Sequence, residues 1–375
     1  MDEGRSGAHS RYMEWAKLSS ASRYNLATSG MASLPLAELD VSLEQLEING
    51  PGGYGYEPLL RAIARRYGVP PDSVVSAIGT SMANYLARAA TTEPGDEILV
   101  EQPGYEPIER AARYLGLSVA CFQRAADQQF AIDLADLERR ITPRTRVIVI
   151  TNLHNPSGAA CPEDTLREIA NLARRSRTYV LVDEVYLEMR FEADPQTAFH
   201  IDPERFLITN SLTKAYGLSG LRCGWVLARP DLTRRMCHIN DLHGVNSVHQ
   251  GELLSVVALE KLAQISARMR GLLDANRALL RKFLDSRDDL DYFWPEYGTI
   301  VFPRLRSGDV DLLCETLRAR FDASVVPGRF FDAPEHFRVG VGGSTESVQA
   351  ALKQLGKGLD YFATHKPTTA AAHVS

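Results

Sequence analysis

Residues 210–225 read NSLTKAYGLSGLRCGW, a stretch that sets one amine, Lys214, among small and hydroxylated side chains and one guanidinium, Arg222, eight positions later. Such a lysine is either a solvated surface cation or an amine put to chemical use, and the second role requires that it be able to lose its proton. Three further polar groups close short apolar runs: Asn155 beyond VIVIT, Asp183 after YVLV and Ser211 after LIT. A carboxylate at the end of an apolar run is costly without a partner. Arg222 offers a planar fork suited to a phosphoryl group. Arg338, in HFRVGVGG, puts a second guanidinium inside a strand-like segment, where a simple surface ion pair is the less natural reading.

The elements that carry these residues alternate. EPLLRAIARRYG has the pattern of an amphipathic helix ending at Gly68, ahead of Pro70 and Pro71. EILVEQPGY, RVIVITNLHNPSG, TYVLVDEVY, RFLITNS and GWVLARP follow as apolar runs closed by polar, Gly or Pro residues, with helical stretches such as PEDTLREIANLARRS between several of them. Short continuous apolar strands separated by helices predict a largely parallel sheet covered on both faces, an α/β architecture. That fold places ligands beyond the carboxyl ends of the strands, so Asn155, Asp183 and Ser211 point to one shared site. After about residue 265 a long helical pattern, then YFWPEYGTIVFPRL, HFRVGVGG and SVQAALKQLGKGL predict a smaller α+β domain. The expected organisation is an N-terminal segment, 1–45, joining that small domain; a large domain, 46–265; the small C-terminal domain, 266–365; and a frayed tail, 366–375. No internal repeat or low-complexity tract interrupts it.

Composition narrows the function. The chain has 375 residues, 45% hydrophobic and 24% charged, with a formal net charge of -5, which gives no electrostatic ground to expect nucleic acid or an anionic membrane as partner. Five scattered cysteines without a CxxC pair predict free thiols in a reducing compartment. The first thirty residues hold no signal-peptide core, and no apolar run nears the roughly 20 residues of a membrane helix. A cytoplasmic small-molecule protein is the expectation.

Seven motifs in one order, GTSMAN, QPGY, NPSG, DEVY, SLTKAYGLSGLRCGW, VVPGRFF and FRVG, together resemble a fold-type I, pyridoxal-phosphate-dependent enzyme of the class I/II aminotransferase group. The resemblance runs from about Ala27 to Gly343. It implies a large domain with a mostly parallel sheet between helices and a smaller α+β domain. It also implies pyridoxal 5'-phosphate as cofactor, and transfer of an amino group from an L-amino acid to a 2-oxo acid through a Schiff base on Lys214.

Carried over residue by residue, the resemblance makes Lys214 the cofactor-bearing amine and proton carrier, and Asp183 the partner of the pyridine nitrogen. Asn155 and Tyr186 bond the phenolic oxygen, and Tyr105, in QPGY, stacks on the ring. Gly79, Thr80 and Ser81 at a helix N-terminus, with Ser211, Thr213 and Arg222, take the phosphate; a plain helix cap is a second use for Thr80 or Ser81. Gly217 and Gly220 would let the backbone come close to that phosphate. Arg338 clamps the substrate carboxylate, with Asn155 beside it and the Gly30 backbone closing over it, although NLATSGMA departs from the family's usual pattern. Either Tyr54 or Tyr56, in GPGGYGYE, reaches into a neighbouring subunit, which implies a homodimer.

Two rivals stand beside transamination. The same scaffold supports β-elimination (C–S lyase), decarboxylation, racemisation or cyclisation, and a non-catalytic cofactor-binding regulator is a rival of another class. The acidic balance and the brevity of the segment before the catalytic portion argue against a DNA-binding regulator. His238, His243 and His249 fit no zinc spacing, so no metal is expected. GGYGYE is not a dinucleotide fingerprint, and His154 has no role from sequence.

Overall fold

The computed structural model of the protein describes residues 9–365; the tail expected to fray, 366–375, lies outside the described residues. A seven-stranded sheet is its centre. It is built from β2 (Val74–Ile78), β3 (Glu97–Gln102), β4 (Ser118–Gln123), β5 (Thr145–Thr151), β6 (Tyr179–Asp183), β7 (Phe206–Ser211) and β8 (Cys223–Leu227), after a short β1 (Tyr24–Asn25). The order is β2-β8-β7-β6-β5-β3-β4. Strands β4, β3, β5, β6 and β7 run parallel, and β8 is antiparallel to both β7 and β2. The apolar runs are continuous because both faces are covered: all six residues of β7 and all five of β8 are buried.

Helices cover the two faces. On one, α3 (Gly79–Thr91) buries Ala83, Leu86, Ala87 and Ala90 against the sheet. On the other, α2 (Glu57–Tyr67) stops where Gly68 turns left-handed at φ 62. Two further helix starts matter later: α1 (Arg11–Leu18), capped by Ser10, and α4 (Glu106–Tyr114), which follows β3.

A smaller assembly of strands is formed at the far end of the chain. A helix runs without a break from Leu262 to Asp285, so the change of texture expected at 265/266 falls inside one element. Beyond it, Ile300–Val301, Phe337–Gly340 and Val326–Pro327 form an antiparallel three-stranded sheet, and β1 pairs in parallel with Ala323–Ser324. That pairing draws residues 24–30 across to the C-terminal strands. Leu26 N donates to Ser324 O and Gly340 N to Leu26 O, at 2.8 and 2.7 Å.

The order of the sheet decides where a site can sit. From β3 the chain first moves outward to β4, then returns to the other side of β3 as β5 and continues to β6 and β7. The crevice at such a reversal opens at the carboxyl ends of the strands. Those ends are Gln102, Thr151, Asp183 and Ser211.

Candidate active site

A cavity of about 240 Å³ lies over these strand ends, and its wall includes Tyr105, Asn155, Asp183, Tyr186, Thr213, Lys214, Thr80, Ser81 and Arg222. Asp183 ends β6 and is buried. Its Oδ2 accepts from Asn84 Nδ2 at 2.7 Å and its Oδ1 from the Val185 amide at 3.1 Å. Burial nevertheless pushes its pKa up to about 6, against the lowering effect of those donors and of Lys214 and Arg88. A carboxyl held in that condition lacks a close cation.

Lys214 stands three residues past the end of β7, and its Nζ donates to Ser29 Oγ at 3.1 Å. Burial lowers its pKa; Arg338 and Arg222 act in the same direction, while Tyr12 and Asp183 oppose it. Ser29 Oγ also accepts from Tyr186 OH at 2.8 Å. The segment carrying Ser29 and Gly30 is held alongside the lysine by Met31 N donating to Lys214 O at 2.8 Å and Leu34 N to Gly217 O at 3.1 Å.

This pairing corrects the reason given for the glycines around Lys214. Gly217 has φ +67, and a Cβ there would fall 2.0 Å from the Ala32 carbonyl oxygen; Gly220 faces open space. Close approach of the 31–34 backbone, rather than of an anion, demands Gly217. Gly217→Ala is expected to lower stability by on the order of 3 kcal/mol, read as a reduced thermal midpoint. A midpoint equal to that of the parent would refute the constraint.

The anion-binding features sit at the start of α3. Gly79 has φ +77, and a Cβ there would lie 2.3 Å from Arg222 Nη2, so the missing side chain makes room for the guanidinium. Arg222 is exposed at the cavity rim and donates to Ser219 O at 3.2 Å and Ile78 O at 3.3 Å. Neither Thr80 nor Ser81 caps the helix, contrary to the second use expected for them: the cap position is Ile78, which has no side-chain bond. Thr80 Oγ1 instead donates to Ser211 Oγ at 2.8 Å, and the Thr213 amide donates to the same oxygen at 3.3 Å. The first amides of α3 are left without a side-chain cap beside a guanidinium that makes no ion pair among the described residues, an arrangement that suits a phosphate.

Arg338 is 1% exposed. Its Nη1 donates to Asn155 Oδ1 at 2.8 Å, and its Nη2 to Tyr12 OH and Ala27 O, both at 3.1 Å. Asn155 therefore turns its oxygen to the arginine and keeps its amide hydrogens for another acceptor. Gly30 packs on the lysine: a Cβ would sit 3.4 Å from Lys214 Cδ.

Other expected residues are elsewhere. Tyr54 and Tyr56 are not in the wall of this cavity; Tyr54 OH donates to Asp241 at 3.2 Å, and the Tyr56 ring meets His249 edge-on at 5.0 Å. His238 packs against Tyr54 and His243 against Tyr85. His154 is fully buried between Ser157 Oγ (2.6 Å) and Pro103 O (2.9 Å). Burial drives its pKa well down, so it is a neutral strut tying the NPSG turn to the QPGY turn.

Sequence reasoning missed Asn84, Ser29 and Tyr12. Asn84 had a signal: it lies within GTSMAN on the buried, mostly apolar face of α3, where a polar side chain needs partners, and it accepts from Thr209 Oγ1 at 2.7 Å while donating to Asp183. Ser29 and Tyr12 carry no local signal.

A buried carboxyl short of a cation, an amine whose pKa is lowered, an aromatic wall and an uncapped helix start beside an arginine form the donor set that pyridoxal 5'-phosphate requires. Residues 31–355 match the family described as Aminotransferase class I and II, and the chain belongs to that family: it is an enzyme, and pyridoxal 5'-phosphate is its cofactor. Among its relatives is capreomycidine synthase of Streptomyces vinaceus, 32% identical over 346 residues, which span 91% of this chain and 89% of that protein. Among solved structures, a PLP-dependent aminotransferase from Streptococcus suis is 26% identical, covers 94% of this chain and 98% of its own, and superposes with a TM-score of 0.88. The PLP-dependent cyclase OrfR is 25% identical with a TM-score of 0.83, covering 93% of this chain and 96% of its own. The mostly parallel sheet between helices expected from the motifs is thus the fold of this family.

Proposed function

We propose that the enzyme transfers the amino group of an L-amino acid to a 2-oxo acid. The observation that carries this reading is the meeting of three charges of different use: the Lys214 amine and the Asp183 carboxyl share one cavity, whose wall residues Asn155 and Tyr12 are both bonded to Arg338. Bound pyridoxal 5'-phosphate supplies an aldehyde that takes up the amino group and a ring that spreads charge from the substrate Cα. Asp183 holds the proton on the pyridine nitrogen. Lys214 would hold the aldehyde carbon and would carry the proton at the substrate Cα. Tyr105 would pack on the ring, and Asn155 and Tyr186 would hold the phenolic oxygen. The amides of Gly79, Thr80 and Ser81, with Ser211, Thr213 and Arg222, take the phosphate. Arg338 takes the substrate carboxylate beside Asn155 and Gly30, which fixes the Cα–H bond in direction.

The enzyme is proposed to work as a homodimer in the cytoplasm. Leu43, Ile48, Leu242 and Val245 are all more than 60% exposed. Gln250 Nε2 joins their two segments by donating to Glu47 O and Ile48 O, each at 2.7 Å. Exposed apolar side chains of this kind support association, and Tyr54, bonded to Asp241, and Tyr56, packed on His249, lie close to these segments, where either would meet a neighbouring phosphate. The five cysteines are free, in keeping with a reducing compartment.

Ring closure on the same scaffold is the second reading, favoured by the synthase and the cyclase among the similar proteins. A panel of amino acids, each supplied with and without a 2-oxo acid, separates the two. Transamination predicts a new amino acid formed only when the oxo acid is present, in amounts equal to the donor consumed. Donor consumption that ignores the oxo acid and yields a product retaining the nitrogen overturns it in favour of ring closure.

A further inference from the structure

We infer that Tyr12 is a second reader of the substrate carboxylate, working beside Arg338 and delivered to the site by a helix that the Glu106 carboxylate holds in place; this rests on the carboxylate role proposed above for Arg338. Among the described residues, Arg338 makes no ion pair. Its bonded acceptors, Asn155 Oδ1, Tyr12 OH and Ala27 O, are all neutral, and its buried Nε has no partner. A buried guanidinium so surrounded is short of an anion.

The phenol beside it is placed to share that anion. Tyr12 lines the same cavity as Lys214 and Asn155. Its oxygen accepts from Arg338 Nη2, which leaves its own O–H free to donate. A carboxylate has two oxygens and takes one bond from a guanidinium edge and another from a neighbouring donor without strain. The ring has little freedom to swing away: it is buried among Tyr105, Phe330 and Phe331, with centroids at 5.5, 5.7 and 5.8 Å.

What sets the height of that ring is the first turn of α1. Glu106 Oε2 accepts from Ser10 Oγ at 2.7 Å and from the Tyr12 amide at 2.8 Å, and its Oε1 accepts from the Arg11 amide at 3.3 Å. One carboxylate thus satisfies two of the amides a helix start leaves open. Glu106 directly follows Tyr105, whose hydroxyl donates to Met13 Sδ at 3.4 Å, so the first residue of α4 and the one before it both grip α1. Glu106 is not itself part of the cavity wall and is a positioning residue.

The test is binding of unreactive monocarboxylates (acetate, propanoate and hexanoate) to the holoenzyme, read from the absorbance of the bound cofactor. Tyr12→Phe is expected to raise Kd roughly tenfold, the loss of one bond to a charged acceptor, with cofactor content and thermal midpoint close to the parent's. Glu106→Gln is expected to raise Kd about threefold, and in the Tyr12→Phe background to add nothing, because it acts through that phenol. Arg338→Lys is the control for the underlying reading. If Arg338→Lys weakens binding and Tyr12→Phe leaves it unchanged, the inference fails alone. If Arg338→Lys also leaves it unchanged, the carboxylate role of Arg338 fails and takes the inference with it. Additive effects of the Tyr12 and Glu106 changes would overturn the link through the helix.

Discussion

Lys214→Ala is expected to leave no cofactor attached to the protein after borohydride reduction and to lower turnover by roughly 10⁴-fold or more, since it removes both the covalent attachment and the carrier of the Cα proton. Among the described residues no other lysine lines the cavity, so no second amine is at hand to replace it. Burial pushes the Lys214 pKa down, with Arg338 and Arg222 assisting, and so enlarges the share of amine that is neutral and able to attack at neutral pH. Lys214→Arg is the sharper form of the test. It keeps a basic side chain beside Ser29 but supplies no nucleophile, so it should lose turnover and covalent cofactor as fully as alanine does. The measurement is the mass of the borohydride-reduced protein. A cofactor adduct persisting in either variant would move the attachment to another residue.

The residues on which that prediction stands were legible in the sequence because each breaks a local rule. Asp183 closes an apolar run, Lys214 is an isolated amine in a glycine-rich stretch, and Arg338 interrupts a strand. The mostly parallel sheet was legible for a related reason: β5, β6 and β7, and the antiparallel β8 beside them, are buried on both faces, which writes them as continuous apolar runs bounded by polar tips. What stayed hidden depends on contacts between distant parts of the chain. The bonds from Arg338 to Tyr12 and from Lys214 to Ser29 join residues 326 and 185 positions apart, and they exist because β1 pairs beside the C-terminal strands. No periodicity near Tyr12 encodes that pairing. The glycine at 217 was noticed but misread, since its constraint is the Ala32 carbonyl, which only the fold brings near. Thr80 had the composition of a helix cap, and the Ser211 hydroxyl competed for it successfully.

Asp183→Asn is expected to cost about 3–5 kcal/mol of transition-state stabilisation, the scale on which a buried pair is broken by removing one charge, or roughly 10²- to 10⁴-fold in rate. Asparagine keeps the shape and can still accept from Asn84, so the cofactor should remain bound while its ring loses the group that holds the nitrogen's proton. The pH dependence of stability gives an independent reading. In the cofactor-free enzyme, burial raises the Asp183 pKa from 3.8 to about 6. The folded chain therefore keeps a proton that the unfolded chain releases between about pH 4 and pH 6. Stability from this group is fully present below about pH 4 and is lost as pH rises through 6, by on the order of 3 kcal/mol in total. The amide that replaces the carboxyl in Asp183→Asn does not titrate. The thermal midpoint of the cofactor-free variant should thus gain on that of the parent as pH rises across this window. Loading the parent with cofactor should remove the difference, because a protonated ring nitrogen favours the charged carboxylate that burial disfavours. Midpoints that stay parallel from pH 4 to 7 would mean that Asp183 is already paired without the cofactor, and would leave its carboxyl without the reason proposed for its place at the end of β6.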